Sequence, residues 1–145
     1  MQELPHHYRA VAAMHAEGCV ELSSPGLVTL ESASPAEYGG PGDKWSPETL
    51  LVAAVADCFV LTFKAIARAS KLEWTSVTCD VEGVLDREDK VTRFVKFQIR
   101  AELDVPAGTE ESRAHRLLEK AEQNCLITRS LTAPASLEAK VRVAG

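Results

Sequence analysis

The chain has 145 residues and a formal net charge of −5; 46% of its residues are hydrophobic and 26% are charged. This length suits a single domain, predicted over residues 1–145, with enough apolar residues for a buried core. The acidic balance and scattered Lys and Arg argue against nucleic acid or an anionic membrane as a partner. No stretch reaches the roughly 18 uninterrupted apolar residues of a membrane span, and the N-terminus lacks a secretory pattern, so we expect a cytoplasmic protein.

Short strands are predicted in the first part of the chain. The β-compatible segments are YRAVAA, CVEL and LVTL, with SSPG as a turn between the last two. The segment SPAEYGGPGDKW that follows is rich in Gly and Pro and too polar for regular structure. A loop therefore separates these strands from the next element.

A long helix is predicted from Pro47 to Leu72. Ser46 is a suitable N-cap, and Pro47 suits the first helical position. Between Leu50 and Phe63 the sequence is apolar nearly all round, which is typical of a helix buried in the core of a protein or an oligomer.

The second half of the chain alternates strands with one more helix. Residues 77–82 and 95–105 alternate apolar with polar side chains, and the polar link DREDK predicts an antiparallel hairpin. A helix is predicted from Thr109, with Cys125 at its C-terminal end, and a final strand over residues 137–143. The predicted class is α+β.

Four cysteines are the main candidates for chemistry, since functional disulfides in the cytoplasm are usually catalytic or redox-sensing. None lies in a CxxC pair, and no His has metal-ligand spacing, so neither a metal nor a cofactor is expected. Cys58 in the long helix and Cys125 are each open to two interpretations, a reactive thiol or a small core residue. Cys19 and Cys79 lie in strand-like segments and are interpreted as structural.

Glu48 lies in the first turn of the long helix, where the helix dipole stabilises a carboxylate. It precedes Cys58 by ten positions, so the two lie roughly 15 Å apart along the helix axis. They cannot touch within one straight helix. Any cooperation between them needs an intervening arginine or a second subunit.

The segments PAEYGGPGDKWSPETLLVAAVADCF and AEQNCLITRSL together resemble the OsmC/Ohr family of osmotically induced and organic hydroperoxide resistance proteins. The first is similar to that family's Gly-rich loop, its Pro-Glu helix start and a reactive Cys ten residues after the Glu. The second is similar to its resolving-Cys segment. The order of strands, helices and hairpin also fits, so the resemblance covers nearly the whole chain.

The resemblance implies an OsmC-like fold, with antiparallel sheets around a long buried central helix, in an intertwined homodimer whose active sites lie at the subunit interface. It implies that Cys58 is the peroxidatic Cys, Cys125 the resolving Cys, and Glu48 the residue that positions a catalytic Arg. The sequence departs from the organic-hydroperoxide branch, which has that Arg in a Gly-Arg context of the N-terminal strands. Arg9 and Arg129 are the candidates for the catalytic Arg in this chain. The missing Gly-Arg context indicates a general OsmC-like subgroup.

The expected function is that of a thiol-dependent peroxidase of organic hydroperoxides, with a dithiol reductant that in the related branch is a lipoylated protein. A thiolate attacks peroxide, and Cys125 then resolves the Cys58 sulfenic acid as a disulfide. We expect the pocket to include Leu51, Val55 and Phe59, with Trp45. Two alternatives are a redox-inactive small-molecule-binding module on the same fold and an acyl-transfer hydrolase, for which no His is well placed.

Overall fold

A computed structural model describes all residues, Met1–Gly145. The chain divides into two compact units, Met1–Leu50 and Leu51–Gly145. Helices and strands are both present, and the predicted α+β class is confirmed.

The first unit contains a small antiparallel sheet in the order β1-β2-β3. Its strands are β1 (Val11–Ala13), β2 (Val20–Ser23) and β3 (Leu30–Ser32). The predicted strand LVTL is wrong except at Leu30, the first residue of β3. Its first residue belongs to a turn, in which the Leu27 N–H donates to the Ser24 carbonyl at 3.1 Å. Several large apolar side chains of this unit are exposed, namely Val11, Met14, Leu27, Val28 and Leu30.

The start of helix α1 (Pro47–Ala69) is capped as predicted. The Ser46 hydroxyl accepts the Thr49 backbone N–H at 3.1 Å, and the Thr49 hydroxyl accepts the Ser46 N–H at 2.9 Å. This is a reciprocal capping box with Thr in the third position, and it satisfies two N–H groups that a helix start leaves free.

Helix α1 ends three residues before the predicted Leu72. Lys71 has φ 56°, a left-handed conformation that no α-helix continues. The Leu72 N–H then donates to the Ala67 carbonyl at 2.9 Å, as in a Schellman motif. The sequence gives little warning of this end, since Gly is the usual residue at the left-handed position.

The second unit contains a three-stranded sheet in the order β4-β5-β6. Strands β4 (Ser76–Glu88) and β5 (Val91–Val105) form the predicted hairpin. The link is shorter than DREDK, because Asp89 and Lys90 alone make the turn, with φ 49° and 67° as a type I′ turn requires. Strand β6 (Ala135–Val143) lies parallel to β5, so this sheet is mixed.

Two helices make the crossover from β5 to β6, as a parallel connection needs. Helix α2 (Glu111–Gln123) begins two residues after the predicted Thr109, and α3 (Leu126–Arg129) is a single turn. Cys125 lies between them as the N-cap of α3. The prediction that Cys125 ends the second helix is therefore wrong.

The core of the second unit lies between its sheet and its helices. Helix α1 contributes one fully buried stripe, and the sheet and α2 contribute the facing residues. The buried side chains of α1 are Val55, Phe59, Phe63 and Ala67. Within one chain the rest of α1 is partly exposed, with Leu61 at 56%. By length and composition α1 is able to span a membrane, a test that core helices of soluble proteins also pass.

Candidate functional site

The structure brings Cys58 and Cys125 together. Cys58 lies midway along α1 and is half-buried, and Cys125 is fully buried. Each thiol shifts the pKa of the other, so the two side chains lie close together, and both are free thiols. Residues sixty-seven positions apart in the chain, counting from 58 to 125, thus form one dithiol site.

The pKa of Cys58 is lowered from its ordinary value. Burial alone would raise this pKa, but hydrogen bonds to the sulfur lower it by more. The groups that lower it are the backbone of Ile127, the Cys125 thiol, the Thr62 hydroxyl and the backbone of Leu126. The Thr62 Oγ1 lies 3.8 Å from the Cys58 Sγ. The first N–H groups of a helix have no intrahelical partner, so those at the start of α3 are free to face an anionic sulfur.

The pKa of Cys125 is raised, first by its burial. Backbone and side-chain hydrogen bonds from Thr128 act in the opposite direction, while the neighbouring Cys58 raises the pKa further. A thiolate at Cys58 therefore disfavours ionisation of Cys125. The two shifts favour Cys58 as the thiol that ionises first, which suits Cys58 to the role of nucleophile and Cys125 to that of resolving group.

An open groove of about 470 Å³ reaches the Cys58 side chain, and its exposed lining is mostly apolar. The lining residues are Ala54, Asp57, Cys58, Leu61, Thr62, Ala65, Leu126 and Ile127. The predicted pocket is wrong at Val55 and Phe59, which are fully buried in the core. They belong to the buried stripe of α1 that faces the core rather than the groove.

The three charged residues expected at the site, Glu48, Arg9 and Arg129, do not line the groove at Cys58. Glu48 lies in the first turn of α1, and its Oε1 atom is buried without a hydrogen-bond partner. Arg9 is exposed in the first unit and Arg129 is exposed at the end of α3. The Arg129 backbone N–H donates to the Cys125 carbonyl at 3.1 Å. No arginine is among the groups that shift the pKa of Cys58, so the roles of Glu48, Arg9 and Arg129 stay predictions.

The other two cysteines differ from this pair. Burial raises the pKa of Cys79 to about 12, with smaller effects from Asp80 and Cys125. Such a thiol stays protonated at neutral pH and is a weak nucleophile. Cys19 lies in the first unit, just before β2.

Sequence reasoning missed four groups around Cys58: the Thr62 hydroxyl, the backbone N–H groups of Leu126 and Ile127, and the Asp57 carboxylate. Thr62 follows Cys58 by four residues, a spacing that places both on one helix face, so this contact was readable from the sequence. The backbone N–H groups of Leu126 and Ile127 carry no side-chain signal. Asp57 carries no signal either, because an apolar helix sequence does not reveal which face of α1 carries the groove.

Leu126→Pro tests the backbone donors. Leu126 is the first residue of α3, where Pro is tolerated, and Cys125 before it has the extended conformation that precedes Pro (φ −68°, ψ 109°). Losing the Leu126 N–H removes one donor to the thiolate, so the pKa of Cys58 rises and its iodoacetamide reaction at pH 7 slows about two- to fivefold. The measurement is the alkylation rate of Cys58 against pH.

Leu126→Ala is the matched control for that experiment, because it loses the exposed side chain and keeps the N–H. Its alkylation profile is expected to follow that of the wild-type protein. Equal profiles for Leu126→Pro and Leu126→Ala would show that the backbone donor has no effect on Cys58.

Comparisons with known proteins agree with the fold. A family model described as OsmC-like protein matches residues 40–140. YmaD of Bacillus subtilis strain 168, an uncharacterized protein, is 30% identical over 129 residues, covering 86% of this chain and 85% of YmaD.

Solved structures extend the comparison. An OsmC-like protein of unknown function from Vibrio cholerae superposes with a TM-score of 0.84 at 19% identity, covering 93% of this chain and 99% of that one. An organic hydroperoxide resistance protein from Legionella pneumophila gives a TM-score of 0.75 at 25% identity, covering 97% and 100%. The predicted family and the OsmC-like fold are confirmed, and the chain belongs to the OsmC-like protein family.

Proposed function

We propose that the protein is a thiol-dependent peroxidase that reduces organic hydroperoxides. One observation carries the proposal: Cys58, whose pKa is lowered, lies next to Cys125, whose pKa is raised, and beside an apolar groove. Structurally similar proteins named organic hydroperoxide resistance proteins, from Legionella pneumophila and Elizabethkingia anophelis, support the substrate class.

The proposed reaction uses the two thiols in sequence. The Cys58 thiolate attacks the outer oxygen of the peroxide, the O–O bond breaks, and the alkoxide takes a proton and leaves as an alcohol. Sulfur is thereby oxidised to a sulfenic acid. The Cys125 sulfur then attacks the Cys58 sulfur, a disulfide forms, and water leaves with the Cys125 proton. An external dithiol reduces this disulfide by exchange.

The groove supports an organic substrate over hydrogen peroxide. Leu61 and Leu126 are exposed at 56% and 65%, and both line the groove that leads to Cys58. An alkyl or aryl group placed against these side chains removes apolar surface from water, which is favourable by about 25 cal/mol per Å². Hydrogen peroxide has no such group.

An arginine held by Glu48 belongs to the proposal. The buried Glu48 Oε1 lacks a donor, and an unpaired buried carboxylate oxygen is costly, so a guanidinium is the natural partner. Arg9 and Arg129 are the candidates in this chain. Replacing the acting residue by Ala is expected to raise the pKa of Cys58, and the alkylation rate of Cys58 against pH distinguishes the two variants. Unchanged profiles for both variants would exclude both residues.

A homodimer also belongs to the proposal. The exposed apolar residues of the first unit are a surface that a second copy would remove from water. The cytoplasm is the proposed location, and a lipoylated protein is the proposed dithiol reductant. Light scattering is expected to give the mass of two chains, and a monomer at micromolar concentration would remove the dimer from the proposal.

A redox-inactive binding module is the second candidate, since no arginine is among the groups that lower the pKa of Cys58. Steady-state assays separate the two functions. With dihydrolipoamide in excess, cumene hydroperoxide is expected to be turned over with a higher kcat/KM than hydrogen peroxide. A binding module would give no turnover of either peroxide and slow alkylation of Cys58 at pH 7.

A further inference from the structure

Asp57 is the one charged residue among those that line the groove at Cys58. It immediately precedes the nucleophile on α1 and is exposed. The other lining residues are apolar, apart from Cys58 itself and Thr62, and no Lys, Arg or His is among them. An exposed aspartate carries a negative charge at neutral pH.

The carboxylate has no ion-pair partner in the structure, whose six ion pairs all lie elsewhere. Lys64, the next basic residue along α1, is seven positions on, roughly 10 Å along the axis, and does not line the groove. The lining of the groove therefore carries one charge of its own, a negative one, next in sequence to its reactive sulfur. Apolar walls weaken the screening of such a charge by water.

We propose that Asp57 selects substrates by charge: it favours neutral hydroperoxides and disfavours those that carry a carboxylate close to the peroxide group. The inference rests on the proposed function for the reaction itself and adds the substrate class. Two like charges about 7 Å apart in a partly wet groove change a rate about three- to tenfold. The preference is electrostatic and so weakens at high ionic strength.

The first experiment does not depend on peroxidase activity. Iodoacetamide and iodoacetate alkylate the same thiolate and differ in charge, so the ratio of their rates at Cys58 cancels any change in the thiolate fraction. Peptide mapping measures this ratio in the wild-type protein, normalised to that of glutathione. Asp57→Asn is expected to lower the iodoacetamide preference about three- to tenfold, and Asp57→Lys to lower it further.

Glu119→Gln is the matched control, because it removes one exposed carboxylate from α2, outside the groove. It is expected to keep the wild-type ratio, and 1 M salt is expected to bring the wild-type ratio close to that of Asp57→Asn. A ratio that is the same in the wild-type protein and Asp57→Asn, or that Glu119→Gln changes equally, would overturn the assignment.

The second experiment uses substrates. The para-carboxylate of cumene hydroperoxide and its methyl ester differ in one charge near the peroxide, and the ratio of their kcat/KM values is expected to shift toward the acid about three- to tenfold in Asp57→Asn. Turnover of the ester with an unchanged ratio overturns the role of Asp57 and leaves the peroxidase intact. Absence of all turnover with a shifted alkylation ratio overturns the peroxidase and supports the charge preference.

Discussion

Cys58→Ser is expected to abolish peroxide turnover, lowering kcat/KM for cumene hydroperoxide on the order of 10³-fold or more. Serine keeps the size of the side chain but remains a neutral alcohol at pH 7, and the donors around Cys58 cannot ionise it. The measurement is the loss of hydroperoxide with a dithiol in excess. Retention of normal turnover would show that Cys58 is not the nucleophile.

Cys125→Ser separates the two thiols. The first chemical step stays possible, because Cys58 keeps the hydrogen bonds to Thr62 and to the backbone at Leu126 and Ile127. One equivalent of peroxide is therefore expected to leave a Cys58 sulfenic acid that dimedone traps, while the wild-type protein gives little adduct. Cys79→Ser is the control and is expected to behave like the wild-type protein, since its thiol stays protonated.

Leu118→Ala is expected to lower the free energy of unfolding by about 2–5 kcal/mol. The Leu118 side chain is fully buried in the core cluster of the second unit, so the substitution removes apolar contacts and leaves a cavity. Urea denaturation at fixed protein concentration measures the change.

Leu126→Ala is the matched control for stability, because the same atoms are deleted from a side chain that is 65% exposed. Its cost is expected to stay within roughly 0.5 kcal/mol, as for most surface substitutions. Equal losses for the two variants would mean that Leu118 does not lie in the core.

Local signals in the sequence were enough for the helix start and the hairpin. Ser46 and Pro47 act through neighbouring atoms, and the alternation in β4 and β5 reports one buried face, so both predictions hold in the structure. Features set by long-range packing were not predicted. The parallel pairing of β6 with β5 depends on tertiary contacts, and Lys71 takes a left-handed position that Gly usually occupies.

At the candidate site, too, some features could be predicted from the sequence and others could not. The chain's resemblance to a known family indicated the cysteine pair, and the structure brings the two thiols together. Which face of α1 carries the groove was not predicted, because an apolar helix surface does not reveal which stripe enters the core. The donors at the start of α3 were missed since they are backbone groups, whose direction depends on the turn after Cys125.

Mass spectrometry of tryptic peptides after one equivalent of cumene hydroperoxide tests the dithiol chemistry most directly. A disulfide between the peptides that contain Cys58 and Cys125 is expected, formed in the wild-type protein and absent from Cys125→Ser. Peroxide treatment that leaves both thiols free for alkylation would contradict the account.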